Sequence, residues 1–201
     1  MAQVKRGIPV LSETPPAPTL EALIGLYQSV GANTKIQVAE QYQYQPIYAA
    51  RIHLANSGLL GKVTQAQVSL AHGYHGTCLM RKLLGINFEN AEIIGRQFVS
   101  SIVCGPGRAG PPESKEVVES SQEISLLNFD GKLGVFDFTD DQYFSWIRSN
   151  RVLVCGELGE IVNNEVCYLK DYKTPISVSL KRHNAGEDGN LEGFSHKGIT
   201  L

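Results

Sequence analysis

Surplus basic charge, paired cysteines and long apolar runs are all missing from this sequence, and each absence removes a class of function. Lys and Arg together number 18 against 20 Asp and Glu, giving a formal net charge of −2 over 201 residues. With the two signs scattered along the chain there is no basic face to neutralise phosphates, so nucleic acid is not an expected partner. No apolar run approaches the roughly 18 residues a membrane span requires, and residues 1–13, MAQVKRGIPVLSE, lack the apolar core of a signal peptide. The expectation is a cytoplasmic protein with no membrane partner. Cys78, Cys104, Cys155 and Cys167 lie far apart, with no CxxC or CxxH spacing. Three of them fall inside apolar segments and read as buried, reduced thiols. His72 and His75 are three apart, but no cluster of Cys, Asp or Glu nearby offers a third ligand, so no metal is expected.

What the sequence does contain is a globular balance, 42% hydrophobic and 19% charged residues, at a length that suits one domain and part of another. Residues 7–12 read as a short buried strand, and the proline-rich run 13–18 as a loop at its carboxyl end. Thr19 then caps a helix over 20–30, closed by Gly31, and 35–40 gives a second strand. Together they predict a right-handed strand–helix–strand crossover of a parallel sheet, which does not stand alone because such sheets are covered on both faces.

From Pro46 the pattern changes. An amphipathic helix runs to Ser57-Gly58, an alternating strand covers 62–70, and a second helix is expected over about 76–84. After that only strand signals appear, at 91–103, 123–129, 132–138, 151–155, 160–162, 166–169 and 176–182. The Asp130-Gly131 pair between two of them marks a tight hairpin, since both central residues of that turn take positive φ. Residues 113–121 read as a charged excursion, and 184–201, with Gly186, Gly189, Gly193 and Gly198, as loop.

The fold class expected is therefore α+β (α/β): a large, mostly antiparallel open sheet with helices on one face, preceded by a partial strand–helix–strand unit. In the late strands Leu133 and Val135 oppose Phe136 and Phe138, and Val152 and Val154 oppose Leu153 and Cys155. One face is covered by the two helices. The other needs a partner, and a homodimer or higher homo-oligomer through the sheet face is the economical answer.

Gly105-Pro106-Gly107-Arg108-Ala109-Gly110 satisfies G-x-G-x-x-G, yet Pro111-Pro112 follows and no helix stands behind it. It reads as a surface turn, not a dinucleotide loop. His75 sits where a strand gives way to a helix, a position suited to an acid/base, although a hydrogen-bonded structural histidine fits it as well. Gln41 and Tyr42, after the second strand, lie at a sheet's carboxyl edge where open α/β folds bind ligands; packing at a domain junction is the alternative.

Three stretches, in order, carry a resemblance: GIPVLSETPPAPTLEAL (7–23), KIQVAEQYQYQPIYAARIHLANSGLLGKV (35–63) and HGYHGTCLMRKLLG (72–85), with RVLVCGELGEI (151–161) following. The chain resembles the Gfo/Idh/MocA oxidoreductases, relatives of glucose-fructose oxidoreductase and inositol dehydrogenase. The resemblance implies that residues 1–44 are the last part of a dinucleotide-binding Rossmann domain and 45–201 a substrate-binding and oligomerisation domain. It implies NAD or NADP for the full-length protein and a sugar, cyclitol or related polyol as substrate. Because the family's first hundred or so residues have no counterpart, it also leads to the expectation of a fragment that binds neither cofactor by itself and is inactive alone.

The resemblance assigns sites residue by residue. Glu13, Thr14 and Pro15 fall on the family's Glu-Lys-Pro loop, as cofactor contacts, with Thr14 in place of the catalytic lysine. Ala71 and His75 fall on its Asp-x-x-x-His pair, so the histidine is kept and the carboxylate is not. Gln41, Tyr42 and His72 are the candidate substrate contacts. With two of three catalytic groups changed, a non-catalytic binding or scaffold protein derived from the family is the alternative function.

Overall fold

The computed structural model describes residues 2–31, 34–185, 191–196 and 199–200, and the chain divides into two compact units, residues 1–42 and 43–201. In the first, a short helix α1 (Ala2–Lys5) precedes β1 (Val10–Ser12), α2 (Leu20–Val30) and β2 (Ile36–Val38). Thr19 caps α2 by accepting the Ala22 N–H at 3.2 Å, and Gly31 ends it at φ 74°. Both positions match the sequence reading, because a hydroxyl satisfies an orphan N–H and glycine alone adopts positive φ without strain. β1 and β2 pair in parallel, Ser12 opposite Val38, so the loops that follow them leave the same, carboxyl, edge.

The second unit opens with α3 (Pro46–Asn56), β3 (Val63–Ser69) and α4 (Gly73–Leu84). The strands β4 (Glu92–Val103), β5 (Val117–Asn128), β6 (Leu133–Thr139), β7 (Arg151–Gly156), β8 (Gly159–Val162), β9 (Glu165–Leu169) and β10 (Pro175–Ser179) follow. With β3 they form one eight-stranded sheet in the order β10-β9-β8-β7-β3-β6-β5-β4. Only β3 and β6 pair in parallel; every other pairing in it is antiparallel. Asp130 at φ 53° and Gly131 at φ 85° make the expected tight turn between β5 and β6, with Phe129 N–H bonded to the Lys132 carbonyl at 2.8 Å.

The core lies between the sheet and its helices. Ala66, Val68, Phe136, Phe138, Val152, Val154, Ile161 and Val166 point to one face and are buried, as are Leu79, Met80, Leu83 and Leu84 of α4. Each fully buried side chain of this size contributes about 1.5–3 kcal/mol. Two glycines set the closeness of the packing. A Cβ on Gly76 of α4 would lie 2.5 Å from Phe136 and 2.8 Å from the Ala71 carbonyl, and one on Gly134 of β6 would lie 2.2 Å from Met80 Sδ. Helix and strand thus each offer a gap to the other's large side chain. Gly85 closes α4 in the left-handed conformation, its N–H on the Lys82 carbonyl and the Ile86 N–H on that of Arg81. A buried Arg51 joins α3 to the β8–β9 turn, donating from Nε to the Asn163 carbonyl at 2.8 Å and from Nη2 to Asn164 Oδ1 at 3.0 Å. Its burial lowers the guanidinium pKa.

The opposite face is open. Ile94, Phe98, Ile124, Leu126 and Val162 are exposed on it, while Leu133, Val135 and Leu153 are half-buried. A polar row crosses it: Arg151 Nη2 donates to Asp137 Oδ2 and to Ser69 Oγ, each at 2.8 Å, and Gln122 donates to Asp137 Oδ1. The cysteines correct the sequence reading. All four are free, but Cys78, Cys104 and Cys155 are only half-buried and Cys167 is exposed. Glu160 stands opposite both Cys155 and Cys167, so these two share the open face rather than the core. Partial burial, and then Glu160, raise the Cys155 pKa, which keeps the thiol protonated.

Three further expectations change. α4 begins at Gly73, not Gly76, because the His75 and Gly76 N–H groups both bond the His72 carbonyl. β5 begins at Val117, so 117–121 is strand and not excursion: the register with β4 runs unbroken to Val103 opposite Val117, on a hairpin exposed enough to carry Glu119 in water. The tail is not all loop, since β11 (Lys181–Ala185), β12 (Leu191–His196) and β13 (Ile199–Thr200) form a separate three-stranded antiparallel sheet. The sequence there lacks the regular apolar–polar alternation that marks a strand; Gly186, Gly189 and Gly198 lie outside the described residues. Among the described residues no helix is long and apolar enough to cross a membrane.

The glycine packing is testable. Gly76→Ala is expected to lower stability by about 1–3 kcal/mol, the usual cost of overpacking. Gly25→Ala, inside α2 with nothing within 4 Å of the added Cβ, should instead raise it by up to about 1 kcal/mol. Urea titrations of both variants read the two signs.

Candidate functional site

Both groups of candidate residues lie at carboxyl edges of parallel strands, one in each unit. In the first unit the loop after β1 carries Glu13, exposed, Thr14, half-buried, and Pro15, exposed; the Thr14 N–H bonds Glu13 Oε2 at 3.3 Å. β2 leads to Gln41, exposed, and Tyr42, half-buried, whose N–H bonds Glu40 Oε1 at 3.2 Å. The Ala39 N–H bonds the Ser12 carbonyl at 2.8 Å, so the parallel pairing brings these two stretches to one edge.

In the second unit the site is built where β3 and β6 end side by side. Ala71, 0% exposed, lies between β3 and α4, and supplies no carboxylate to its neighbours. His72 is the N-cap residue of α4, although its side chain caps nothing, and His75 occupies the helix's first turn at 7% exposure. The two imidazoles meet edge to face with centroids 5.0 Å apart, and the Tyr74 ring lies 4.3 Å from that of His75. The sequence reading singled out both histidines, and their rings lie side by side at the head of α4.

It missed their neighbour. β6 ends at Thr139, and a 3₁₀ turn (Asp140–Tyr143) follows, in which Tyr143 reaches His72. The Tyr143 hydroxyl accepts the His72 N–H at 3.0 Å and also bonds the ring's Nδ1. Gln142 holds this turn from within. At 5% exposure it donates from Nε2 to the Ser69 carbonyl at 2.8 Å and to that of Ser149 at 3.0 Å, while its Oε1 receives the Thr139 N–H at 3.4 Å. The spacing Thr-x-x-Gln is a capping-box signal and could have located the turn, though not its target.

Gly105–Gly110 is a surface turn: Gly107 and Gly110 exchange N–H bonds at 2.9 and 3.0 Å, and no helix follows. The motif thus offers no phosphate-binding helix terminus. Among the described residues no group of three or more His, Cys, Asp or Glu could hold a metal.

Replacing Gln142 by Ala leaves two carbonyls and the Thr139 N–H without their partner. The expected cost is about 1–3 kcal/mol, measured as a fall in the urea midpoint at unchanged slope.

No family model and no curated protein matches the chain. Solved structures do. Levoglucosan dehydrogenase, solved in complex with NADH, is 17% identical at a TM-score of 0.59, over 89% of this chain and 56% of that one. An NAD binding oxidoreductase from Klebsiella pneumoniae is 18% identical at 0.56, and an oxidoreductase domain protein from Kribbella flavida 20% identical at 0.56, with the same coverage of 89% and 56%. At these identities the likeness shows the fold: the mixed open sheet with its helices is that of the C-terminal domain of such oxidoreductases. The chain spans 56% of the length of the levoglucosan dehydrogenase it matches.

Proposed function

We propose that this chain is the substrate-binding and oligomerisation portion of a Gfo/Idh/MocA-type, NAD(P)-dependent oxidoreductase acting on a sugar, cyclitol or related polyol. The observation that carries the reading is His75 in the first turn of α4, at the carboxyl end of the parallel strand β3, within an oxidoreductase fold. Levoglucosan dehydrogenase has been solved with NADH and levoglucosan, and with L-sorbose, which supports a polyol-like substrate. The division of the chain at Tyr42 and Gln43 supports residues 1–44 as the end of a nucleotide-binding domain and 45–201 as the substrate domain.

In this reading a bound nicotinamide supplies the hydride acceptor, and the residues of this chain bind, orient and move the proton. Glu13, Thr14 and Pro15, at a carboxyl sheet edge, fit contacts to the cofactor. The Thr14 hydroxyl can hydrogen-bond a substrate hydroxyl but brings no cation. In the second unit His72 orients the polyol and His75 takes the alcohol proton as hydride leaves the same carbon; Gln41 and Tyr42, at the carboxyl edge of the first unit's strands, are that unit's proposed substrate contacts. With alanine at position 71 no carboxylate there assists it. That last feature, with Thr14, favours the second reading, a non-catalytic binding or scaffold protein of the same descent.

Turnover separates the two. This chain is combined with the nucleotide-binding domain that the reading requires, and nicotinamide absorbance is followed with NAD⁺ and NADP⁺ against a panel of sugars and cyclitols. His75→Asn is expected to lower kcat by roughly 10²–10⁴ at unchanged cofactor affinity. Absence of turnover on every polyol, or a His75→Asn variant as fast as the parent, leaves the scaffold reading in its place.

The open face, with Ile94, Phe98, Ile124 and Leu126 exposed, is the proposed homo-oligomer interface, of about 1,600 Å² in total. Light scattering should return at least twice the 22.0 kDa chain mass; a monomer at high micromolar concentration would count against it.

A further inference from the structure

We infer that Tyr143 is a positioning residue that locks the His72 imidazole in its Nε2–H tautomer, so that His72 meets a polyol oxygen as a hydrogen-bond donor and proton transfer falls to His75. The naming of the ligand rests on the functional reading above; the lock rests on geometry alone.

The Tyr143 hydroxyl makes two hydrogen bonds among the described residues, both to His72: it accepts the main-chain N–H at 3.0 Å and bonds the ring at Nδ1. A phenol has one proton to give and two lone pairs to receive. One lone pair is taken by the main-chain N–H. If Nδ1 also donated, both lone pairs would be filled and the hydroxyl, which is exposed, would have only water to donate to. If the hydroxyl donates to Nδ1, every group is matched within the protein and no water is required. Nδ1 is then an acceptor, and the proton of the neutral ring sits on Nε2.

Both partners are held. The His72 carbonyl accepts the His75 and Gly76 N–H groups at 3.1 and 3.4 Å, which fixes the residue at the head of α4. Tyr143 packs its ring edge to face on Phe138, centroids 5.0 Å apart, and follows directly on the buried Gln142. The hydroxyl comes from the end of β6, the parallel neighbour of β3, so the sheet itself sets the distance. At this strand edge Ala71 has no carboxylate to orient an imidazole. Tyr143 orients one without adding a charge.

Long-range ¹H–¹⁵N correlation spectra of the whole chain with ¹⁵N-labelled histidine, at a pH of about 9 where free imidazole is neutral, read the tautomer directly. The expected result is a His72 ring with Nε2 protonated, no detectable Nδ1–H form, and a Tyr143 hydroxyl proton correlated with Nδ1. Tyr143→Phe keeps the ring packing on Phe138 and should allow the Nδ1–H form to appear. A parent protein with Nδ1 protonated overturns the inference without need of any variant, and so does a folded Tyr143→Phe protein with an unchanged tautomer pattern. Titration with levoglucosan as the polyol probe then should shift the His72 Nε2–H signal in the parent and lose that shift in Tyr143→Phe. A locked tautomer with no histidine signal moved by levoglucosan or by a panel of sugars and cyclitols keeps the role of Tyr143 in the fold but sinks the donor assignment, while the functional reading is decided separately by turnover of the chain combined with its nucleotide-binding domain.

Discussion

The reciprocal fit of α4 and β6 is the constraint on which the rest of the second unit depends. Gly76 on the helix makes room for Phe136 on the strand, and Gly134 on the strand makes room for Met80 on the helix. With a gap and a large side chain on each partner, the helix has one height and one rotation relative to the sheet at which both are filled. That single solution sets the head of α4 against the carboxyl end of β3, with Ala71 fully enclosed and His75 in the first turn. Interior packing of this density transmits a small displacement rather than absorbing it. A shift that would pass unnoticed at the exposed end of β4 would here move an imidazole.

The two faces of the sheet divide the work. Apolar side chains and the helix pair secure one. The other holds its shape by polar pairing, with Asp137 between Arg151 and Gln122, and Ser69 bonded by Arg151. Gln142 ties the two ends of this arrangement together, since its bonds to the Ser69 and Ser149 carbonyls join the end of β3 to the loop before β7. The segment that carries Tyr143 is therefore anchored in the sheet's polar row and reaches His72 at the same time.

Much of this was legible in the residues, and the part that was not has a common cause. Local chemistry spoke clearly: Thr19 and Gly31 bracketing α2, Asp130-Gly131 turning between β5 and β6, and proline after Gly110 excluding a phosphate-binding helix. Each depends on residues within a few positions of one another. The His72–Tyr143 contact spans 71 positions, and what unites them is the parallel pairing of β3 with β6, which no short pattern announces. The first five residues of β5 and the tail strands failed for a second reason. Their pairing is a matter of backbone, and charged or glycine-rich sequence hides it. The cysteines failed for a third: an apolar strand residue is buried only if its face is, and Cys155 and Cys167 are on the uncovered one.

β4 has a consequence for how the molecule behaves in company. Among the described strands it pairs only with β5, which makes it an edge of the sheet, twelve residues long. Ile93, Ile94, Phe98, Val99 and Val103 are exposed along it, no proline interrupts it, and Glu92 and Arg96 are its only charges. Natural edges are usually short, bulged, or guarded by lysine and proline. This one presents a row of ladder donors and acceptors already in strand geometry. A further strand laid along it would extend the ladder with no rearrangement of the host's backbone, and the exposed apolar side chains would be covered in the same step.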